Sequence, residues 1–285
     1  MGKINLSLSI PTSSMKKAFV LSGGAARGFA HLGVAKALYE YGIYPSAISG
    51  TSAGAIAGAF LANGYTPDEI IEMLDGKLTR KMLTWHSIRH GLVSFKKIKA
   101  YLEENLRYKT FEELPIPLYV TATSYVDGRQ KIFNEGNILD AIEASCAIPA
   151  IFPSVEIDSV VYVDGGLANN LPVEPFIDRK NEIIAVHVNP IRDLNPKRGL
   201  WETIDRSFHL SFANTVYSSA RDCFMYIEPK ELVNYLLFDL NKSHEIIQAG
   251  YDYTKLYLAE RTHLLKGESS FINKLKAGVK NFLKN

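Results

Sequence analysis

"ISGTSAGAIAG", residues 48–58, sets a serine between two glycines, Gly50 and Gly54, and follows it at once with small apolar residues. A serine on an ordinary surface needs no such company. One held on a very tight backbone turn does, because the residues two away on each side must then be tiny. Gly50-Thr51-Ser52-Ala53-Gly54 fits the G-x-S-x-G pattern, in which a strand turns sharply into a helix and leaves a serine hydroxyl projecting freely. The flanks agree with it. "YPSAISG" reads as a short strand and "SAGAIAGAFLANG" as a helix closed by Gly64, kept slim by Ala53, Ala55, Ala57 and Ala59.

Outward from there, strands and helices alternate. "KKAFVLSGG" reads as a strand ending in a glycine loop, followed by a helical pattern that runs to Gly42. "TPDEIIEML" opens with Thr66 as N-cap and Pro67 at the first helical position. "PLYVTATSYVDGRQKIF" predicts a hairpin turning at Asp127-Gly128, "NILDAIEASCAIP" a helix, and "SVVYVDGG" a strand. "NEIIAVHVNP" is a continuous apolar strand of the buried parallel kind, and helical patterns fill much of 201–266. This order predicts an α/β layered fold with a central, mostly parallel sheet flanked by helices. No linker cuts the chain, so residues 1–285 read as a single domain.

Composition narrows the function classes. The 285 residues are 47% hydrophobic and 22% charged, enough for a well-buried core. A net charge of +2 gives no case for nucleic acid. No run of 18 apolar residues is present, and the N-terminus shows neither a secretory core nor a myristoylation pattern. Two cysteines, Cys146 and Cys223, suggest no disulfide framework and no metal site, which points to a reducing, cytoplasmic interior. No cofactor is called for.

Three segments raise partners. Ile4, Leu6, Leu8 and Ile10 alternate with polar residues as an edge strand or arm does, one that could pair with a neighbouring copy and so allow an oligomer. Residues 77–99 carry seven Lys or Arg and no Asp or Glu, which fits a solvated basic face or a surface for anionic headgroups. In 271–285, Phe271, Ile272, Leu275, Val279, Phe282 and Leu283 share one side of a helical wheel, with Lys276, Lys280 and Lys284 opposite. Such a helix either packs on its own domain or lies in a headgroup region, which would place the chain peripherally at a membrane.

A serine hydroxyl is a poor nucleophile at neutral pH without an adjacent base. Seven histidines are present, and His187, in the strand "IIAVHVNP", reads as a satisfied core residue. Asp164 stands out more: it ends a strand and precedes Gly165-Gly166, an arrangement that suits either a plain Asp-Gly turn or a carboxylate aimed into a strand-end crevice. The third element is "LSGGAARGFAH", 21–31, a glycine-rich loop entering a helix, whose free N–H groups suit a bound phosphate or a transient oxyanion. It lacks the Gly-Lys-Ser/Thr of a phosphate loop, and Ala25 takes the place of the middle glycine of a dinucleotide loop. Ser52 tips the balance to the oxyanion.

"SGGAARG" (22–28), "GTSAG" (50–54), "ASCAIPAIFPSV" (144–155) and "DGGLANNLPVEP" (164–175), in this order, resemble the patatin-like phospholipase family over roughly residues 16 to 190; the remainder, about 200–285, carries no such match. The resemblance implies a patatin-like three-layer fold and a lipid acyl hydrolase of the phospholipase A or lysophospholipase type, acting without histidine. It implies Ser52 as nucleophile, Asp164 as proton acceptor, and Gly23, Gly24, Ala25, Ala26, Arg27 and Gly28 as the oxyanion loop, with a lipid acyl ester as substrate. Family members often have a third consecutive glycine where Ala25 stands, and a methyl group there suits a negative φ. Arg27 either holds the loop or meets a lipid phosphate. Two rivals stay open: a Ser-His-Asp α/β-hydrolase esterase using His187, and a non-catalytic phosphate- or nucleotide-binding module.

Overall fold

The computed structural model describes residues 14–74, 95–149, 151–191 and 200–261. Eight strands form one sheet: β1 (Met15–Leu21), β2 (Ile43–Thr51), β3 (Leu118–Ser124), β4 (Gln130–Phe133), β5 (Val155–Ile157), β6 (Val160–Asp164), β7 (Ile183–Val186) and β8 (Met225–Ile227). Their order is β5-β6-β3-β2-β1-β7-β8, with β4 also paired to β3. β3, β2, β1, β7 and β8 run parallel, while β4, β5 and β6 join antiparallel. The sheet is therefore mixed and mostly parallel, as the strand–helix alternation predicts.

The helices are α1 (Ala30–Glu40), α2 (Ala53–Ala62), α3 (Pro67–Leu74), α4 (Phe95–Asn105), α5 (Ile138–Ser145), α6 (Leu200–Ala220) and α7 (Ser243–Glu260). Alternation along the central strands divides them into two layers. Phe19 and Leu21 of β1, with Ile184 and Val186 of β7, enter the core under α1, α2, α5 and α7. Ala18 and Val20, with Ile183 and Ala185, face the other way, onto Leu171, Val173, Phe176 and Val216 of α6. A strand buried on both faces must be apolar throughout, which is why β7 reads as an unbroken run.

Local signals account for most boundaries. At the start of α3, the Glu69 N–H donates to Thr66 Oγ1 (3.3 Å) and the Thr66 N–H donates to the Glu69 carboxylate (2.7 Å), a reciprocal cap. The β3–β4 hairpin turns at Asp127-Gly128, where Gly128 has φ +70°. The helical patterns expected over 201–266 resolve into α6 and α7, with the three-residue β8 between them. The N-terminal arm at 4–10, residues 77–94 and the amphipathic stretch 271–285 lie outside the described residues. At the end of the basic segment, Lys99 on α4 donates to Asp140 (2.8 Å) and Glu143 (2.6 Å) of α5, so its charge is used inside the fold.

α7 meets α1 through two small residues. A Cβ added at Gly33 would stand 1.9 Å from the Ile247 carbonyl, and one at Gly250 would stand 2.5 Å from that of Ala30. The helices touch backbone to backbone at these points, and neither backbone can give way cheaply. Gly33→Ala should therefore destabilise the fold by about 1–3 kcal/mol, read as a melting temperature several degrees lower. An unchanged melting temperature would mean that α1 and α7 do not meet there.

Candidate active site

The site forms where two strands finish in one lane of the sheet. β2 pairs with β3 as far as Thr51↔Thr121, and on that same side β6 takes over from Ala122↔Asp164. β4 occupies the opposite side of β3 along both stretches. β2 and β6 run towards each other and stop head to head. Ser52 and Asp164, distant in sequence, are thus brought to one level by register alone. Gly165 makes the junction possible, since a Cβ there would fall 2.1 Å from the Thr121 carbonyl and 3.0 Å from the Thr51 methyl.

Ser52 stands at φ 52°, ψ −120°, between the end of β2 and the start of α2. A positive φ is unfavourable for a residue with a Cβ, by roughly 1–3 kcal/mol, and persists only where surroundings enforce it. Here they do. The Ser52 N–H donates to Ser145 Oγ at 2.8 Å, and Ser145 in turn donates to the Thr121 carbonyl at 2.6 Å. The two flanking glycines leave no room for a side chain: a Cβ at Gly50 would meet the Gly54 carbonyl at 2.6 Å, and one at Gly54 the Leu21 carbonyl at 2.3 Å.

Asp164 is buried. Its Oδ1 accepts the Gly166 N–H at 2.8 Å, while Oδ2 has no hydrogen-bond partner among the described residues. Burial pushes the carboxyl up to about 6, and the bond from Gly166 and the neighbouring Ser52 hydroxyl hold it from going further. The hydroxyl is therefore close enough to act on the carboxyl, while Oδ2 accepts no hydrogen bond among the described residues. Cys146 brings a third polar group to the same place. Its thiol is pushed well up by burial and by the Asp164 charge, so it stays protonated beside the pair.

The glycine loop joins β1 to a 3₁₀ turn, Ala25–Phe29, and Gly23 approaches Ser52 closely enough that an added Cβ would stand 3.3 Å from the serine Cβ. Its amides are already partly spent. Gly23 N–H donates to Asn170 O (3.2 Å), Ala26 to Leu237 O (2.8 Å) and Arg27 to Gly24 O (3.0 Å). Gly24 and Ala25 donate to nothing among the described residues. Gly28 lies against Ala53, the residue after the serine. Ala25 departs from expectation: it sits at φ 44°, left-handed, so the loop keeps the conformation a glycine would allow and carries the strain of a methyl group instead.

Arg27 turns inward. Its guanidinium donates to the Tyr235 carbonyl at 2.8 and 2.6 Å and to Asn189 Oδ1 at 3.5 Å, with the side chain buried. Its charge is thus engaged with oxygens of the fold itself. Asn189 Nδ2 completes the support by donating to the Gly23 carbonyl at 2.6 Å. His187 is buried, with Nε2 3.0 Å from the Asn189 carbonyl and its ring stacked on Tyr226; burial lowers it to about 3. Ser145, Asn170 and Asn189 escaped the sequence reading. Ser145 lay inside a matched segment with no role attached, and Asn189 ended the strand "IIAVHVN", so a polar residue at each element's end was the only local signal.

Among the described residues, no cluster of His, Cys, Asp and Glu could hold a metal ion, and no helix is long and apolar enough to cross a membrane. The family described as patatin-like phospholipase matches residues 19–177. An uncharacterised NTE family protein of Mycobacterium tuberculosis is 32% identical over 202 residues, covering 65% of this chain and 54% of that protein. The lysophospholipase NTE1 of Kluyveromyces lactis is 28% identical over 291 residues, covering 87% of this chain and 19% of the yeast protein. The chain thus spans about half the length, or less, of these curated relatives. Among solved structures, VipD from Legionella pneumophila aligns with a TM-score of 0.48 at 16% identity, over 86% of this chain and 67% of that one. With the family match running from β1 through both strand ends that meet at Ser52 and Asp164, the chain belongs to the patatin-like phospholipase family.

Proposed function

We propose that the chain hydrolyses fatty acyl esters of lipids, as a phospholipase A or lysophospholipase, through an acyl-serine at Ser52 with Asp164 as the base. One observation carries this reading: a serine held at positive φ lies beside a buried carboxyl whose second oxygen has no partner. A purely structural Asp-Gly turn has no use for an unsatisfied buried oxygen. Kinship with a lysophospholipase supports the substrate class.

The steps follow from the atoms at hand. Asp164 accepts the Ser52 proton as Oγ bonds to the ester carbonyl carbon. The N–H groups of Gly24 and Ala25 receive the oxyanion. The intermediate collapses, the C–O bond to the leaving alcohol breaks, and Asp164 returns the proton to that oxygen. Water then gives its proton to Asp164 and attacks the acyl-serine, and the fatty acid leaves as Ser52 regains its proton. Cys146 stays out of the chemistry because its thiol is held protonated.

Ser52→Ala should abolish turnover of a soluble short-chain ester and labelling by a fluorophosphonate, with little change in melting temperature. Wild-type protein that refuses the probe would leave the glycine loop as a plain anion cradle and end the hydrolase reading.

The base must be ionised to work, and its pKa of about 6 sets the acidic limb. kcat/KM for the soluble ester should be level above that value and fall about tenfold per pH unit below it. A rate unchanged down to pH 4.5 would remove Asp164 from the role.

The same shift makes a stability statement. The folded pKa lies above the ordinary value of 3.8, so the charged carboxylate opposes folding; that penalty is complete above about pH 6 and vanishes towards pH 4. Asp164→Asn keeps an oxygen for the Gly166 N–H and deletes the charge. It should eliminate turnover yet raise stability at pH 8, by up to roughly 3 kcal/mol, with the gain shrinking as the pH drops. A variant less stable than wild type at pH 8 would refute this assignment of the strain.

A further inference from the structure

β3 does not stop where β2 does. Ser52 is level with Ala122, and β3 carries on to Ser124 and into the turn at 125–128, flanked by β4 on one side and by β6 and β5 on the other. Tyr125 stands three residues past Ala122, about 10 Å at the rise of a strand, in the direction in which β2 delivers Ser52. The turn joining β5 to β6, at Asp158-Ser159, reaches the same height, because the Tyr125 N–H donates to the Val161 carbonyl at 2.8 Å. Two turns thus stand side by side above the strand ends that carry the site.

Apolar side chains flank the polar residues of both turns. Tyr125 is 71% exposed, Val126 82% and Val160 36%, and Leu167, three residues after Asp164, is 45% exposed. Single exposed apolar residues are ordinary, but an adjacent pair on one turn with a third on its neighbour makes a patch. The patch is convex, formed by projecting turns, so it suits insertion into a yielding layer better than a clasp on a folded surface. It carries no net positive charge: Asp127, Glu156 and Asp158 stand against Arg129 and Lys131, and Arg129 is paired with Asp127 at 3.8 Å.

We propose that the ends of the β3–β4 and β5–β6 hairpins seat the chain on a zwitterionic lipid interface, with Tyr125 and Val126 entering the headgroup layer. The identity of the partner rests on the hydrolase reading of Ser52, whose substrates would lie in that layer. A tyrosine with an apolar ring and a polar tip is suited to such a boundary. With no net positive charge at the tips, apolar insertion rather than headgroup attraction drives the contact, so binding should withstand added salt.

The test uses the full chain, unilamellar phosphatidylcholine vesicles and a water-soluble short-chain ester. Tyr125→Asp/Val126→Asp should lower vesicle co-sedimentation and vesicle hydrolysis about tenfold or more, at 0.1 and 0.5 M salt alike, and leave the soluble ester rate unchanged. Val126→Ser alone should move both vesicle measurements the same way by less. Vesicle binding equal to wild type in the double variant, or wild-type protein that ignores phosphatidylcholine vesicles, overturns the proposal. So does a double variant whose lipid-free oligomeric state changes, since the tips would then be a contact between copies. Wild-type protein that binds vesicles through these residues but neither turns over the ester nor takes a fluorophosphonate would retire the hydrolase reading and leave the docking surface standing.

Discussion

The meeting of β2 and β6 in a single lane beside β3 is the constraint on which the rest of the site depends. A strand has two hydrogen-bonding sides, and β4 holds one side of β3 from Val120 to Thr123. On the other side, Thr121 belongs to β2 and Ala122 to β6. No residue remains between them, so both chains must leave the sheet there at once. β2 leaves by the strained turn at Ser52, and β6 by Gly165-Gly166, where the missing side chain of Gly165 lets the backbone pass Thr121. A hydroxyl and a carboxyl at the two exits are then neighbours by geometry, with no need for a long side chain to bring them together.

Such a junction stores unfavourable terms that the surroundings must hold in place. Ser52 and Ala25 both sit at positive φ, and Asp164 is buried with one oxygen unpaired. Each is of order 1–3 kcal/mol against the fold, comparable to the net stability of a marginal domain when added together. What offsets them is rigid and apolar: β1 and β7 behind the loop are buried on both faces, and α1 and α7 lock backbone to backbone. The polar supports are specific. Ser145 fixes the amide of Ser52, while Arg27 and Asn189 hold the loop from below, so that Gly24 and Ala25 keep their N–H groups unspent.

The sequence made the local parts of this legible. Strand–turn–helix at Ser52, the hairpin at Asp127-Gly128, the capped start of α3 and the unbroken strand β7 each follow from residues within a few positions of one another. The supports were not legible because they come from afar: Ser145 lies 93 positions from Ser52, and Tyr235 lies 208 from Arg27. β5 and β8 escaped for another reason, since three residues are too few to show a period. The conformation of Ala25 ran against its own side chain, and no local preference can announce that; the loop beside it is set by distant residues, with Gly24 packed against Val188 and Asn189. Arg27 shows the same limit from the other side. Its charge suggested two partners, and the segment that takes its hydrogen bonds, 235–237, is joined to the loop only in three dimensions.

The mixed character of the sheet has a functional corollary. In a purely parallel sheet, strand ends on one edge finish near a common level, and a site there lies in a shallow crevice. Here the antiparallel pairings of β4, β6 and β5 let β3 overshoot that level, raising two turns beside Ser52. A wall of this kind is compatible with a small soluble substrate but is not needed for one. Under the proposed docking on a lipid layer it has a purpose, because the chain would then stand at a fixed height above that layer while Ser52 reaches down to an ester held in it. The apolar residues at the wall's end and the absence of net positive charge there are what a neutral lipid layer would select, and a nucleotide or phosphate ligand at the loop would select neither.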